Sequence, residues 1–269
     1  MSTRARTLTR ESQLFRASVV STTRLTPNMQ RVTVRGDELR DFPWRGYDHW
    51  FRLFLRHPHQ ERFHVPEAGG EKWWQPYLAM PDEVRPHCAN YTVADFRAED
   101  GELDIDVVVH RGPDGELAGT VAIWACSTGH GEELALIDQG ILFDPPADAS
   151  SVLLVADESG LPAVAGILRS LAPDTVGRVF QEVPTDGDRR TLAGPPGVRV
   201  EWIPRTDPGT APGSAALAAL RAHRDIDPDG YAFVVGEQTL ATEGRRHLHR
   251  AGMPKDRITF SGFWKSEQH

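Results

Sequence analysis

FDPPADASSVLLVADESGLPAVAGIL, residues 143–168, is where the chain changes its rule of construction. Its proline-rich opening has the character of a linker and places a domain boundary near residue 148. VLLVA then reads as a short strand buried on both faces. Behind it, Ser159 reads as a helix N-cap and Pro162 as a first-turn residue, with Leu161, Val164, Ala165, Leu168, Leu171 and Ala172 at helical spacing. Further strands are expected over 176–183, 198–203, 231–236 and 257–261, separated by helices over 214–223 and 238–250. Residues 149–269 are therefore predicted to form a five-stranded parallel α/β sheet with helices on both faces. The intervening loop PTDGDRRTLAGPPG, 184–197, is too rich in breakers for a long helix.

Residues 1–148 follow a different pattern. Stretches 13–23, 29–35 and 50–56 are rich in β-branched and aromatic residues and are separated by the turn-forming LTPN and GDELRDFP. In ELDIDVVVH, 102–110, Leu103, Ile105 and Val107 share one face while Asp104, Asp106 and Val108 share the other. The preceding EDG supplies a turn back to NYTVADF, and repeated hairpins of this kind predict an antiparallel β-barrel.

Composition narrows the function. The chain has 269 residues, 39% hydrophobic and 25% charged, without the apolar run of ~18 residues that a membrane span needs. Its basic start, residues 1–15, has no apolar stretch behind it and does not read as a secretory signal, so a cytoplasmic protein is expected. Cys88 and Cys126 are far apart in sequence and form no CxxC, so redox chemistry would require a bound cofactor. A net charge of −8 without a lysine/arginine stripe speaks against nucleic acid. The chain has no GxGxxG, Walker loop, GxSxG or HExxH. His57 and His59 make an incomplete ligand set, so no resident metal and no acid/base or nucleophilic residue is predicted.

NYTVADFRAEDGELDIDVVVHRGPDGELAGTVAIWA, 90–125, resembles the flavin-binding core of the siderophore-interacting protein family, within the ferredoxin-reductase-like flavoproteins. In that family an R-x-Y-T strand lies against the flavin, the next strand ends in histidine, and a glycine-containing turn lets helix N-terminal amides hold the diphosphate. Tyr91 and Thr92 match the Y-T, Val108 and His110 the strand end, and Gly115, Ala118, Gly119 and Thr120 the turn, followed by the family's Trp-Ala at Trp124 and Ala125. The resemblance continues through DHWFRLFL, WQPYLAMPDEVRP, LLVADESGLPAVAGIL, VFQEV, VEWIPR, YAFVVGE and ITFSGFWK, in the family's order. Departures are Ala89 for the motif arginine, which removes a diphosphate contact, Ala94 where arginine is common, Ala156 for glycine and Ser159 for threonine. Arg85 stands four residues before Ala89, about 13 Å along a strand, too far to substitute unless the chain bends there.

The resemblance implies FAD on the barrel and NADH or NADPH on the α/β domain. Asp157, Glu158, Gly236 and Glu237 would lie at the nicotinamide nucleotide, and Trp264 beside the flavin. Arg189 and Arg190 are candidate contacts for an adenosine 2′-phosphate, and Arg52 and Lys265 for an anionic ferric siderophore. The implied activity is ferric-siderophore reduction, releasing Fe(II) for iron acquisition. Alternatives are a siderophore shuttle with weakened flavin chemistry and a reductase component of another flavin system, with ferredoxin as a further electron donor. Arg52 has a competing structural reading as the partner of Asp48.

Overall fold

In the computed structural model, which describes residues 13–66, 73–112, 114–207 and 209–266, the alternating stretch 102–108 is a strand closed into a barrel. The strands are β1 (Leu14–Thr26), β2 (Met29–Arg35), β3 (Trp50–Leu55), β4 (His87–Arg97), β5 (Glu102–Val108) and, after the short pair β6 (His110–Arg111) and β7 (Leu117–Ala118), β8 (Glu133–Asp138). All six barrel pairings are antiparallel, in the order β1-β2-β5-β4-β3-β8 and back to β1, so no edge is left unpaired. Helix α1 (Trp74–Ala79) lies between β3 and β4 in sequence, and α2 (Thr120–Ser127) between β7 and β8. The residues expected on one face of β5, Leu103, Ile105 and Val107, are fully buried with Phe15, Val32, Phe51 and Leu136. Each such side chain contributes about 1.5–3 kcal/mol by leaving water. Val121, Trp124 and Ala125 of α2 belong to this core.

The outward face of β5 is not left to solvent. Asp104 and Asp106 are buried because Arg31 and Arg97 pair with them at 2.7–3.2 Å, and Thr33 donates to Asp104 at 2.8 Å. A bulge at Ala94 interrupts the pairing of β4 with β5 just after the Tyr-Thr pair. GDELRDFP, read as a turn, holds a short 3-10 helix over Asp37–Asp41.

The second unit contains β9 (Val152–Ala156), α3 (Leu161–Ser170), β10 (Val176–Val183), β11 (Gly197–Pro204), α4 (Ser214–Ala222), β12 (Tyr231–Glu237), α5 (Gln238–Arg250) and β13 (Ile258–Trp264). Its five strands are parallel, in the order β11-β10-β9-β12-β13. Every residue of β9 is buried, because alternate side chains serve two cores. Val152, Leu154 and Ala156 pack with α3, while Leu153 and Val155 pack with α4 and α5. The edge strand β11 instead alternates exposed and half-buried residues.

Two expectations are corrected here. Ser159 is not the cap: Asp157 accepts the Ser159 amide at 2.9 Å, a 3-10 turn follows over Glu158–Gly160, and α3 starts at Leu161. The stretch expected as a linker is docked, since Phe143 is 2% exposed with its ring 5.3 Å from Tyr231 and 5.5 Å from Tyr47. The compact units divide between Ile141 and Leu142, and Gly46–Asp48 goes with the second. Tyr47 there has φ 54°, donates its amide to Ser170 Oγ at 2.8 Å, and occupies with its carbonyl the space beside Gly166. The amino-terminal stretch 1–12 and Lys72 lie outside the described residues.

Candidate functional site

In the barrel unit, β4 carries Tyr91 opposite Phe51 and Thr92 opposite Trp50. Tyr91 is half-buried, its ring packed on the barrel core together with Ala89, and burial holds its phenol neutral by pushing its pKa far up. Thr92 is buried on the outer face. The strand ends here are fixed by a buried pair that sequence periodicity did not reveal. His49 Nε2 lies 2.7 Å from Asp138 Oδ1, while His49 Nδ1 accepts the Arg45 amide at 3.1 Å, which leaves the imidazole proton on Nε2. Trp44 stacks on the imidazole at 5.4 Å. Asp138 shares a cross-strand row with Phe51 and Tyr91, so the pair braces the rung that holds Tyr91.

The glycine turn leads into α2 with open space on one side. Gly115 and Gly119 have φ of 80° and 87°, and no atom lies within 4 Å of where a Cβ on either would stand. Gly119 caps α2 without any side-chain bond, leaving the first-turn amides outside the helix's own bonding. Open space and uncapped amides fit a diphosphate. Val108 is the last residue of β5, opposite Met29. His110 does not end that strand; it opens the β6–β7 ribbon, exposed and opposite Ala118. The sequence passed over Arg111, which donates to the Gly115 carbonyl at 2.8 Å and so places an exposed cation at the turn. Arg85 cannot replace the missing motif arginine: it binds the carbonyls of Tyr77, Leu78 and Met80 and pairs with Asp82 at 2.6 Å.

The Asp48 carboxylate accepts the amides of Leu142 and Phe143. The Arg52 guanidinium bonds Asn90 Oδ1 and lies 5.3 Å from the Trp50 ring centre and 5.5 Å from that of Trp73. Burial raises the neighbouring Cys88 thiol to about 11, so it stays protonated. The His57 and His59 rings stack at 5.3 Å, with His87 edge-on to His57.

In the α/β unit, the strand order reverses between β9 and β12, so the carboxyl ends of these two strands mark the switch point of the sheet. Asp157 and Gly236 meet there. Asp157 Oδ2 accepts the Glu237 amide at 2.6 Å, and Oδ1 accepts both the amide and hydroxyl of Ser159. Burial, then the charge of Glu158, push the Asp157 carboxyl up to about 7. The other carboxylates are engaged. Glu158 takes two bonds from Arg205, at 2.6 and 2.8 Å, and the fully buried Glu182 accepts from Arg205, Gly213 N and Ala216 N at 2.8–2.9 Å. Glu237 accepts from Thr239 N and from Ser266 N and Oγ, fastening the carboxyl-terminal segment to the start of α5. The Glu158 carboxylate is therefore committed to Arg205. Trp264 is half-buried opposite Glu237, Lys265 is exposed, and Arg189 pairs with Asp186 at 2.8 Å. Arg205 and Glu182 were not anticipated as a network, because isolated charges at strand ends carry no periodic signal.

A closed antiparallel barrel with an open glycine turn before α2, followed by a five-stranded parallel sheet, is the architecture of the siderophore-interacting structures. Residues 18–141 match the siderophore-interacting FAD-binding domain and residues 149–267 the siderophore-interacting protein model. The ferric vibriobactin reductase ViuB of Vibrio cholerae is 30% identical over 88% of this chain and 84% of its own. The NADPH-dependent ferric-chelate reductase of Escherichia coli is 24% identical over 93% of this chain and 92% of its own. The crystal structure of a siderophore utilization protein from T. fusca superposes with a TM-score of 0.80 at 24% identity, covering 97% of this chain and 96% of that one. The chain belongs to the siderophore-interacting protein family.

Proposed function

We propose that the protein is a ferric-siderophore reductase, with FAD on the barrel unit, NADH or NADPH on the α/β unit, and an iron(III) chelate as electron acceptor. The observation that carries this reading is the turn before α2, with two glycines of positive φ, open space and uncapped amides, in the same unit as the strand bearing Tyr91 and Thr92. Bound FAD would convert the two-electron delivery of a nicotinamide into single electrons for iron. The α2 amides would hold its diphosphate, with Gly115, Ala118, Gly119, Thr120 and His110 forming the surround, and Tyr91, Thr92 and Val108 would face its ring.

Asp157 and the backbone of Glu158, Gly236 and Glu237 would hold the nicotinamide nucleotide, because ligands of open parallel sheets bind at strand carboxyl ends. Arg52 and Lys265 would draw an anionic chelate toward an otherwise acidic protein. Iron leaves because hard oxygen donors favour the trivalent ion and release the divalent one. The names of the ferric reductases among its relatives support the acceptor, and cytoplasmic residence follows from use of a nicotinamide donor. Among the described residues no helix is long and apolar enough to cross a membrane. The test is anaerobic: NADPH or NADH should bleach the absorbance of the FAD-loaded protein, and ferric enterobactin should restore it. Bleaching by dithionite but by neither nicotinamide would make ferredoxin the donor; no restoration by ferric chelates would remove the reductase.

A second reading is favoured by Ala89 and by the full engagement of Arg85: a siderophore-binding shuttle whose flavin is held weakly. It predicts binding of ferric chelate by colourless protein.

A further inference from the structure

The buried His49–Asp138 pair carries a charge that its bracing role does not need. Both side chains are withdrawn from solvent, at 0% and 2% exposed. His49 accepts the Arg45 amide on Nδ1, so its ring is neutral and holds its single proton on Nε2. Asp138 Oδ1 accepts from His49 Nε2 and from the Gly140 amide, each at 2.7 Å, two donors converging as on an ionised carboxylate. Asp138 Oδ2 is buried and has no hydrogen-bond partner among the described residues. The pair itself is thus left with one net negative charge, in surroundings where Phe42 lies 5.0 Å from the imidazole and Trp44 stacks on it at 5.4 Å. Bracing asks only for an acceptor, which an uncharged amide also offers, whereas a buried charge is costly to keep.

The cross-strand register places this charge. Phe51 is opposite Asp138 of β8 on one side and Tyr91 of β4 on the other, so all three share one face of the barrel wall. Phe51 belongs to the barrel core and Tyr91 packs against it. Neighbouring strands lie about 4.8 Å apart, which puts Asp138 roughly 10 Å from Tyr91.

We infer that Asp138 is a fixed negative charge that makes the bound flavin a stronger reductant. The inference rests on the proposed function for the seat of FAD against the strand bearing Tyr91. The oxidised flavin ring is neutral, whereas the fully reduced ring carries a negative charge in neutral solution. A buried carboxylate at roughly 10 Å opposes that charge and leaves the oxidised ring alone, so reduced FAD is held less tightly and gives up its electrons more readily. Chelators that favour iron(III) lower the potential of the iron they hold, so a more reducing flavin widens the range of chelates that can accept its electrons.

Two neutral variants separate charge from bracing. Asp138→Asn keeps an oxygen for His49 Nε2 and Gly140 while removing the charge, and Asp138→Ala removes both. Titration of apoprotein gives the affinity for oxidised FAD. Slow anaerobic reduction beside a reference dye gives the equilibrium between oxidised and reduced FAD on each protein. Asp138→Asn should bind oxidised FAD as the native protein does and shift that equilibrium toward the reduced form by about tenfold. Asp138→Ala should show the same shift together with weaker binding of both forms. An equilibrium that does not move toward reduced FAD in Asp138→Asn, or loss of oxidised FAD from that variant, overturns the inference and leaves Asp138 a brace. A shift in Asp138→Asn that is absent from folded Asp138→Ala would trace it to the new amide and overturn the inference likewise. Native protein that takes up no FAD would remove the flavoprotein reading itself, whereas native uptake with an unmoved equilibrium in the variants removes the inference alone.

Discussion

Asp157 and Gly236 meet across the gap between β9 and β12 so closely that a Cβ on Gly236 would stand 2.5 Å from the Asp157 carboxyl carbon. Gly236 also has φ 127°, a conformation that side chains resist. The contact exists because the Asp157 carboxylate reaches over β12 to accept the Glu237 amide. Two strand ends are thereby locked at the point where the sheet reverses its order.

Gly236→Ala should therefore cost about 1–3 kcal/mol in urea unfolding. It should also abolish reduction of the flavin by NADPH or NADH while leaving FAD affinity unchanged. Wild-type rates of reduction in the variant would place the nicotinamide elsewhere.

Asp157 gives stability a pH dependence with a definite sign. Its carboxyl is raised in the folded protein to about 7 from 3.8, so the folded state holds a proton that the unfolded state has released. The resulting stabilisation is complete below the unfolded pKa and is lost as pH rises through about 7. Unfolding midpoints should fall between acid and mildly alkaline buffer, and Asp157→Asn should flatten that fall. An unchanged slope in the variant would assign the effect to other groups.

Arg205 holds two buried carboxylates at once, Glu158 and Glu182, and is itself only 9% exposed. Arg205→Met should destabilise by about 3–5 kcal/mol, since it strands buried charge. Adding Glu158→Gln to that variant should recover part of the loss. A loss under about 1 kcal/mol would mean that the network is not held in solution.

Much of this architecture was legible because burial imposes a period. The five parallel strands and the helix over Gln238–Arg250 followed from apolar spacing, and β5 from its strict alternation. Networks were not legible. Nothing periodic joins Arg205 to Glu158 and Glu182, or His49 to Asp138, because side chains far apart in sequence meet only once the sheets have formed. Ser159 misled as a cap because Asp157, two residues earlier, offers the stronger acceptor and takes the Ser159 amide itself. The Tyr91–Thr92 pair was found through its resemblance to a motif, whereas Arg111 was missed because it belongs to none.

Arg111 should matter for flavin affinity. It tethers the Gly115 carbonyl and places an exposed cation at the turn before α2, in a chain that has Ala89 at the family's motif arginine. Arg111→Ala should weaken FAD binding by about tenfold in titration of apoprotein, and Arg111→Lys should restore part of it. Equal affinities in all three proteins would leave the diphosphate to the α2 amides alone.

Reduction of chelated iron is the central claim, and trapping its product is the most direct measurement. FAD-loaded protein is mixed anaerobically with NADPH or NADH and ferric enterobactin, with a ferrous-specific chromogenic chelator present. The account predicts that two ferrous ions are trapped for each nicotinamide oxidised, and that both signals vanish when FAD is omitted. Nicotinamide oxidation that yields no trapped iron, or iron release that needs neither nicotinamide nor FAD, would contradict it.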